Sequence, residues 1–227
     1  MYFYPDIDDK IISNLIKSKE PYKGYWKKSE EYVLSFAERI FKSNKYQRLL
    51  DLGAGVGRLA IKFSKYFDYI TIIEPDEERL QKAKENIKRE NANFIKTPFL
   101  SSKLPKNYFD VVVCSHVIQH VKTKDVPSTI NKIHSILKMN GILVLLTNYT
   151  RKDYDFFTKL FLDKSIVKEL QISENKFNSL VINKKLILPV HFFSIKTLYK
   201  DLDKFSIIKS KSFHLNRDIF IIASKRI

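Results

Sequence analysis

Short apolar runs recur through the middle of the chain, separated by stretches in which apolar residues return every three or four positions. The runs read as strands buried on both faces, and the spaced stretches as amphipathic helices. Strands are expected at 48–52, 69–74, 94–95, 109–114 and 142–147. Helices are expected at 56–66 and 76–89, the second burying Leu80, Ala83 and Ile87. A further stripe, Ile130, Ile133, Ile136 and Leu137, predicts a helix that Gly141 stops. Upstream, Ser29 is placed to cap a helix with Glu30 and Glu31 in its first turn. Val33, Leu34, Ala37, Ile40 and Phe41 then share its inner face. Strands alternating with helices imply an α/β fold with a parallel sheet and right-handed crossovers. Such sheets bind ligands beyond the carboxyl ends of their strands. Asp51, Gly53, Glu74, Thr97, Ser115 and Asn148 fall at those ends and should converge on one crevice.

After 147 the pattern loosens. Residues 151–190 are aromatic and charged, with two short helices expected within 153–171 and a hairpin across Asn183, Lys184 and Lys185. A helix at 195–202 and strands near 205–211 and 217–224 close the chain. The organisation expected is one domain over 1–227, comprising N-terminal helices or a lid (1–44), a core (45–150), a cap or insertion (151–193), and a C-terminal helix with strands (194–227).

Composition narrows the classes. Hydrophobic residues make up 44% of the chain, enough for a core, and no apolar run approaches the ~20 residues of a membrane span. The acidic start at 6–9 lacks a secretory signal's basic flank, so a soluble cytoplasmic protein is expected. The single cysteine, Cys114, lies in an apolar strand, where it reads as a buried, inert thiol; a cysteine zinc cluster is excluded and no metal is expected. The net charge of +16 suits a polyanionic partner such as RNA, but the lysines are spread along the chain without a block of like charge.

Three of the five glycines, Gly53, Gly55 and Gly57, fall between an apolar strand and a helix. There they let the backbone turn tightly and approach a ligand. Arg58 stands where a dinucleotide fingerprint needs its third glycine, so that pattern fails. Asp51-Leu-Gly53-Ala-Gly55-Val-Gly57 instead resembles the first motif of class I S-adenosylmethionine (SAM)-dependent methyltransferases, and Ile73-Glu74-Pro75-Asp76 resembles their second. The segment from Tyr108 to Val121 and the segment from Leu137 to Val144 resemble later motifs of the same family. The resemblance implies a Rossmann-like seven-stranded sheet with its last strand antiparallel and helices on both faces. It implies SAM as cofactor, Asp51 organising the glycine loop, Glu74 on the ribose and Pro75 by the adenine. Gly53, Gly55, Gly57, Arg58, Thr97, Pro98 and Ser115 complete the expected cofactor set. Thr97 stands where the family usually carries an acid near the adenine.

His116 and His120 follow the fourth strand and are candidates to take a proton from an acceptor O–H or N–H. The alternative for His120 is a packing role. Trp26, in an aromatic segment before the first core helix, and His191 are candidates to touch substrate. Three functions compete: methyl transfer to oxygen or nitrogen of a small molecule, methylation of RNA or protein, and a non-catalytic SAM-binding partner subunit. The oligomeric state is left open.

Overall fold

A computed structural model describes residues 22–43, 45–164, 166–181, 187–213 and 217–226, with side chains of the first helix from Glu31 onward. Helix α1 (Tyr22–Ser43) leads into β1 (Arg48–Leu52) and α2 (Arg58–Phe63). There follow β2 (Tyr69–Ile73), α3 (Glu77–Asn86), β3 (Ala92–Ile95) and β4 (Phe109–Ser115). Helix α4 (Val126–Ile136) runs directly into β5 (Leu137–Thr150). Strands β6 (Phe156–Asp163) and β7 (Ile166–Ile172), helix α5 (Glu174–Leu180), and β8 (Leu188–Ser194) form the inserted region. Helix α6 (Ile195–Asp201), β9 (Phe205–Phe213) and β10 (Asp218–Lys225) complete the described chain.

The central sheet runs β3-β2-β1-β4-β5-β10-β9. Neighbours from β3 to β5 are parallel, and β10 is antiparallel to both β5 and β9. This is the expected seven-stranded α/β sheet with its last strand antiparallel. Alternation along each strand divides the core between two faces. Leu50, Leu52, Val112 and Cys114 pack with Ile130 and Ile133 of α4 on one face. Leu49, Val111 and Val113 pack with Val33, Ala37 and Phe41 of α1 on the other. Helix α3 starts where Asp76 accepts from Arg79 N–H at 2.9 Å, with Glu77 and Glu78 in the first turn.

Three local expectations are corrected. Ser29 lies inside α1, which already begins at Tyr22; the residues after Pro21 contain no breaker except Gly24, so the helix starts earlier than its capping signal. Gly141 does not end a helix. Helix α4 stops at Ile136, and 138–141 form an irregularity where the β4–β5 register slips from Phe109↔Leu137 to Val111↔Ile142. The two helices expected within 153–171 are a β-hairpin, β6 paired antiparallel with β7. Its residues alternate: Phe156, Leu160 and Leu162 pack with Leu188, Val190 and Phe192 on one face, whereas Phe157 packs with Phe177 and Val181 on the other. The hairpin expected across Asn183, Lys184 and Lys185 lies outside the described residues.

The inserted strands extend the central sheet. Tyr149 and Thr150 at the end of β5 pair in parallel with Phe193 and Ser194 of β8, and β8 continues antiparallel to β6.

Candidate active site

The crevice begins where β1 gives out. Gly53, Gly55 and Gly57 have φ of 64°, 57° and 79°, and the loop they form is tied to β2 by Gly53 N–H donating to Ile73 C=O at 2.8 Å. Behind it, Asp51 is buried and its Oδ2 accepts from Ala60 N–H at 3.1 Å in the first turn of α2. Burial pushes the Asp51 carboxyl up to about 7; the Ala60 N–H opposes this, Glu74 adds to it, and Arg58 opposes it.

Glu74 is fully buried just past β2. One carboxylate oxygen accepts from Gly55 N–H at 2.8 Å and the other from Asp76 N–H at 3.0 Å. It thereby holds the glycine loop beside the start of α3. Burial raises its carboxyl above the usual range, and those two N–H groups partly offset the rise. Each oxygen has a second lone pair.

A cavity of about 280 Å³ opens at this point. Leu52, Gly53 and Pro75 form its floor, and Pro98 and Phe99, past β3, form one wall. The opposite wall is Val117, Val121 and Lys122 from the segment after β4, and Val181 reaches in from the inserted region. Of the expected cofactor set, Gly53, Pro75 and Pro98 line the cavity, while Asp51, Gly55 and Glu74 support its floor from behind. Gly57 opens α2 and Arg58 is its first residue. Thr97 lies beside Pro98, half-buried, and Ser115 ends β4.

Past β4 the two candidate histidines part company. His116 takes φ of 55°, and its N–H donates to Leu146 C=O at 2.7 Å. Its Nδ1 lies 2.9 Å from Gln119 Nε2, and Gln119 Oε1 accepts from the Thr147 hydroxyl at 2.9 Å. The amide nitrogen donates, so Nδ1 accepts and Nε2 carries the hydrogen. Nε2 lies 4.0 Å from Asp218 Oδ2, and Asp218 Oδ1 accepts from Asn148 Nδ2 at 2.9 Å. Burial, with Arg58 adding to it, pushes the His116 imidazole down to about 4. Burial likewise pushes Asp218 up, against the pull of Arg217. His120 is buried in the turn Ile118–His120, with Nδ1 donating to Pro189 C=O at 2.8 Å. It fastens the segment after β4 to β8.

His191 sits in β8 with Nε2 2.8 Å from Asp155 Oδ2, away from the residues that line the crevice. The Trp26 side chain lies outside the described residues. Cys114 is fully buried, and burial raises its thiol to about 12, as an inert thiol requires.

Asp218 and Asp155 were absent from the expected site. Asp218 had a signal: an acid opens an otherwise apolar final strand, and an antiparallel strand begins beside the carboxyl end of its parallel neighbour. The register bears this out, with Asp218 opposite Asn148. Asp155 carried no such signal, because its partner lies 36 positions away.

The sheet order, the crevice at the strand ends and the glycine loop define a Rossmann-like nucleotide-binding architecture. Among known proteins, residues 50–145 match the methyltransferase domain family. Over 166 residues the chain is 26% identical to the uncharacterized methyltransferase YcgJ of Bacillus subtilis, covering 70% of this chain and 65% of that one. Over 107 residues it is 28% identical to the ubiquinone/menaquinone biosynthesis C-methyltransferase UbiE of Serratia proteamaculans, covering 44% and 42%. The chain thus spans less than two-thirds of these curated relatives, 65% and 42% of their lengths. The crystal structure of 1,6-didemethyltoxoflavin-N1-methyltransferase from Burkholderia thailandensis, with bound 1,6-didemethyltoxoflavin and S-adenosylhomocysteine, aligns with a TM-score of 0.62 at 14% identity. That alignment covers 100% of this chain and 92% of the other. Residues 50–145 therefore carry a methyltransferase domain, and the fold around them is the Rossmann-like fold of the solved SAM-dependent methyltransferases.

Proposed function

We propose that this chain binds SAM in the crevice and transfers its methyl group to an oxygen or nitrogen of a small molecule. The observation that carries the reading is the cavity itself: Gly53 of the glycine loop on its floor, the buried Glu74 carboxylate bracing that loop from behind, and an apolar wall contributed by the segment after β4 and the inserted region. The residues present fit the cofactor. A Cβ at Gly55 would meet only Arg79 Nη1 at 3.7 Å, which leaves room for a ligand against the loop. The remaining lone pairs of Glu74 suit two ribose hydroxyls, and Pro75, Pro98 and Phe99 suit an adenine face. When bound, SAM supplies a methyl group on a sulfonium that is already activated for displacement.

The chain's own task is then to hold the acceptor in line and to exclude water. Val117, Val121 and Val181 provide the apolar enclosure. His116, held neutral by its burial, has its Nδ1 accepting from Gln119 and would have to exchange that bond to take an acceptor proton. An amine that arrives neutral needs no base. His120 donates through Nδ1 to the Pro189 carbonyl, so its neutral ring carries the lone pair on Nε2 and it is a candidate base as well as a brace. A small acceptor is preferred over RNA because Lys122 is the only lysine or arginine lining the cavity among the described residues, despite the net charge of +16. Among the described residues no helix is long and apolar enough to cross a membrane.

The test pairs two measurements. Calorimetry should show SAM and S-adenosylhomocysteine binding to the wild-type chain. Labelled SAM, offered separately with a small-metabolite pool and with total RNA, should label the metabolite fraction. Binding of NAD in place of SAM would sink the cofactor assignment, and label confined to RNA would sink the acceptor class.

A further inference from the structure

A second cavity, of about 230 Å³, lies between the inserted sheet and the start of α4. Its charged lining has one sign. Asp155, Glu174 and Asp201 line it, and no lysine or arginine does among the described residues, in a chain of net charge +16. Phe157 and Phe193 add aromatic surface.

His191 also lines this cavity and is 3% exposed. Its ring packs tilted against aromatic neighbours, with centroids 3.7 Å from Phe193 and 4.6 Å from Phe157. Asp155 holds it from one side: Oδ2 lies 2.8 Å from His191 Nε2, and Oδ1 accepts from Ser194 N–H at 2.7 Å. Burial works against ionising Asp155, but the hydrogen bonds from His191, Ser194 and Thr197 outweigh it and hold the carboxyl below its usual range. An ionised carboxylate only accepts, so Nε2 carries the hydrogen, and in the neutral ring Nδ1 presents a lone pair. That Nδ1 is buried with no hydrogen-bond partner. A buried acceptor left unpaired is costly, so the site is short of one donor.

We propose that this cavity is a binding site for an organic ammonium group, whose N–H donors pair with the carboxylates and His191 Nδ1 while its carbon substituents lie on Phe157 and Phe193. An ammonium offers donors alone, which matches a lining that offers acceptors. The ring faces add cation–π attraction. A metal ion suits the site less well: no group of three His, Cys, Asp or Glu side chains among the described residues is arranged to hold one. The volume falls below the ~300–1,000 Å³ of a complete drug-sized site, so the cavity takes a small amine or the amino end of a larger molecule. Its position gives it a role. Val121, Lys122 and Asp125 line the crevice, and Thr123, Val126 and Pro127, interleaved with them, line this cavity. An amine-bearing acceptor is therefore the substrate class that fits. That role rests on the methyl-transfer reading; the binding does not.

The binding is tested on the full chain without SAM, so that failure of the cofactor assignment would leave it untouched. The probes are benzylammonium and its neutral counterpart, benzyl alcohol. Benzylammonium should bind in calorimetry, should shift the His191 and Phe157 side-chain resonances, and should bind at least tenfold tighter than the alcohol. Asp201→Asn should weaken it about tenfold. Asp155→Asn should weaken it further, with circular dichroism confirming the fold, because Asp155 also holds the Ser194 N–H. Equal binding of the alcohol, no binding of benzylammonium, or unchanged affinity in a folded Asp201→Asn and Asp155→Asn pair would overturn the proposal.

Discussion

At the scale of single residues, the site is a set of buried acids given different work. Glu74 holds two backbone N–H groups and has lone pairs to spare, so Glu74→Ala should both loosen the loop and weaken SAM. The expected loss is ten- to a hundredfold in affinity, from hydrogen bonds to a charged group; calorimetry that found SAM affinity unchanged would remove Glu74 from the cofactor site. Asp51 and His116 make a separate, pH-dependent prediction. The folded state keeps a proton on Asp51 up to about pH 7, whereas an unfolded aspartate has released it by about pH 4. Asp51 therefore costs stability progressively as pH rises through that window. The folded state refuses a proton at His116 until about pH 4, whereas an unfolded histidine accepts one near pH 6.5. His116 therefore costs stability as pH falls through nearly the same window, and the two slopes oppose each other. Asp51→Asn removes one of them. Its stability should rise from pH 4.5 to 6.5, and its advantage over wild type should grow toward pH 8 to about 2–4 kcal/mol. Urea denaturation at several pH values checks this; an advantage that shrinks with rising pH would contradict it. Asp51, Gly53, Glu74 and Pro98 were legible in the sequence because each sits at a strand end. The His116–Asp218 and His191–Asp155 pairings were not, because each joins residues distant in the chain.

Elements were legible where their periodicity was undisturbed. Strands β1, β2 and β4 and helix α3 follow their apolar spacing closely, because both faces of those strands are covered. The inserted hairpin was not legible. Its lysines and aromatics fit a helix stripe as well as a strand, and the deciding partner, β8, lies beyond helix α5 in the chain. The glycine loop shows how finely an element can be divided. At Gly57 an added Cβ would stand 2.7 Å from Ile87 Cδ1, whereas at Gly55 nothing comes nearer than 3.7 Å. Both residues have positive φ, so alanine costs about 1–2 kcal/mol of backbone strain at either position. Gly57→Ala should lower Tm further, because the Ile87 side chain at the end of α3 must also shift. Gly55→Ala should keep its fold by circular dichroism and lose SAM affinity at least tenfold. Normal SAM binding by Gly55→Ala would mean that this side of the loop faces something other than the cofactor.

For the whole molecule, the question is how the inserted region is held to the core. Asn178 of α5 accepts from Thr123 N–H at 3.0 Å and donates to the Thr123 hydroxyl at 3.0 Å, while that hydroxyl donates to Glu174 at 2.6 Å. Asn178→Ala should release this latch at a cost of about 1 kcal/mol. The Thr123 amide should then exchange with solvent about fivefold faster or more, with little change at β1 or β4; unchanged exchange would show that the latch holds nothing. The other attachment is of a different kind. Because β5 runs 14 residues and passes its last two into a ladder with β8, the inserted region is welded to the sheet as well as tied to it. A cover built this way is a wall and not a door. Swinging it aside would break a strand pairing, so molecules entering or leaving the crevice should travel past its opposite rim, where no ladder among the described residues stands in the way.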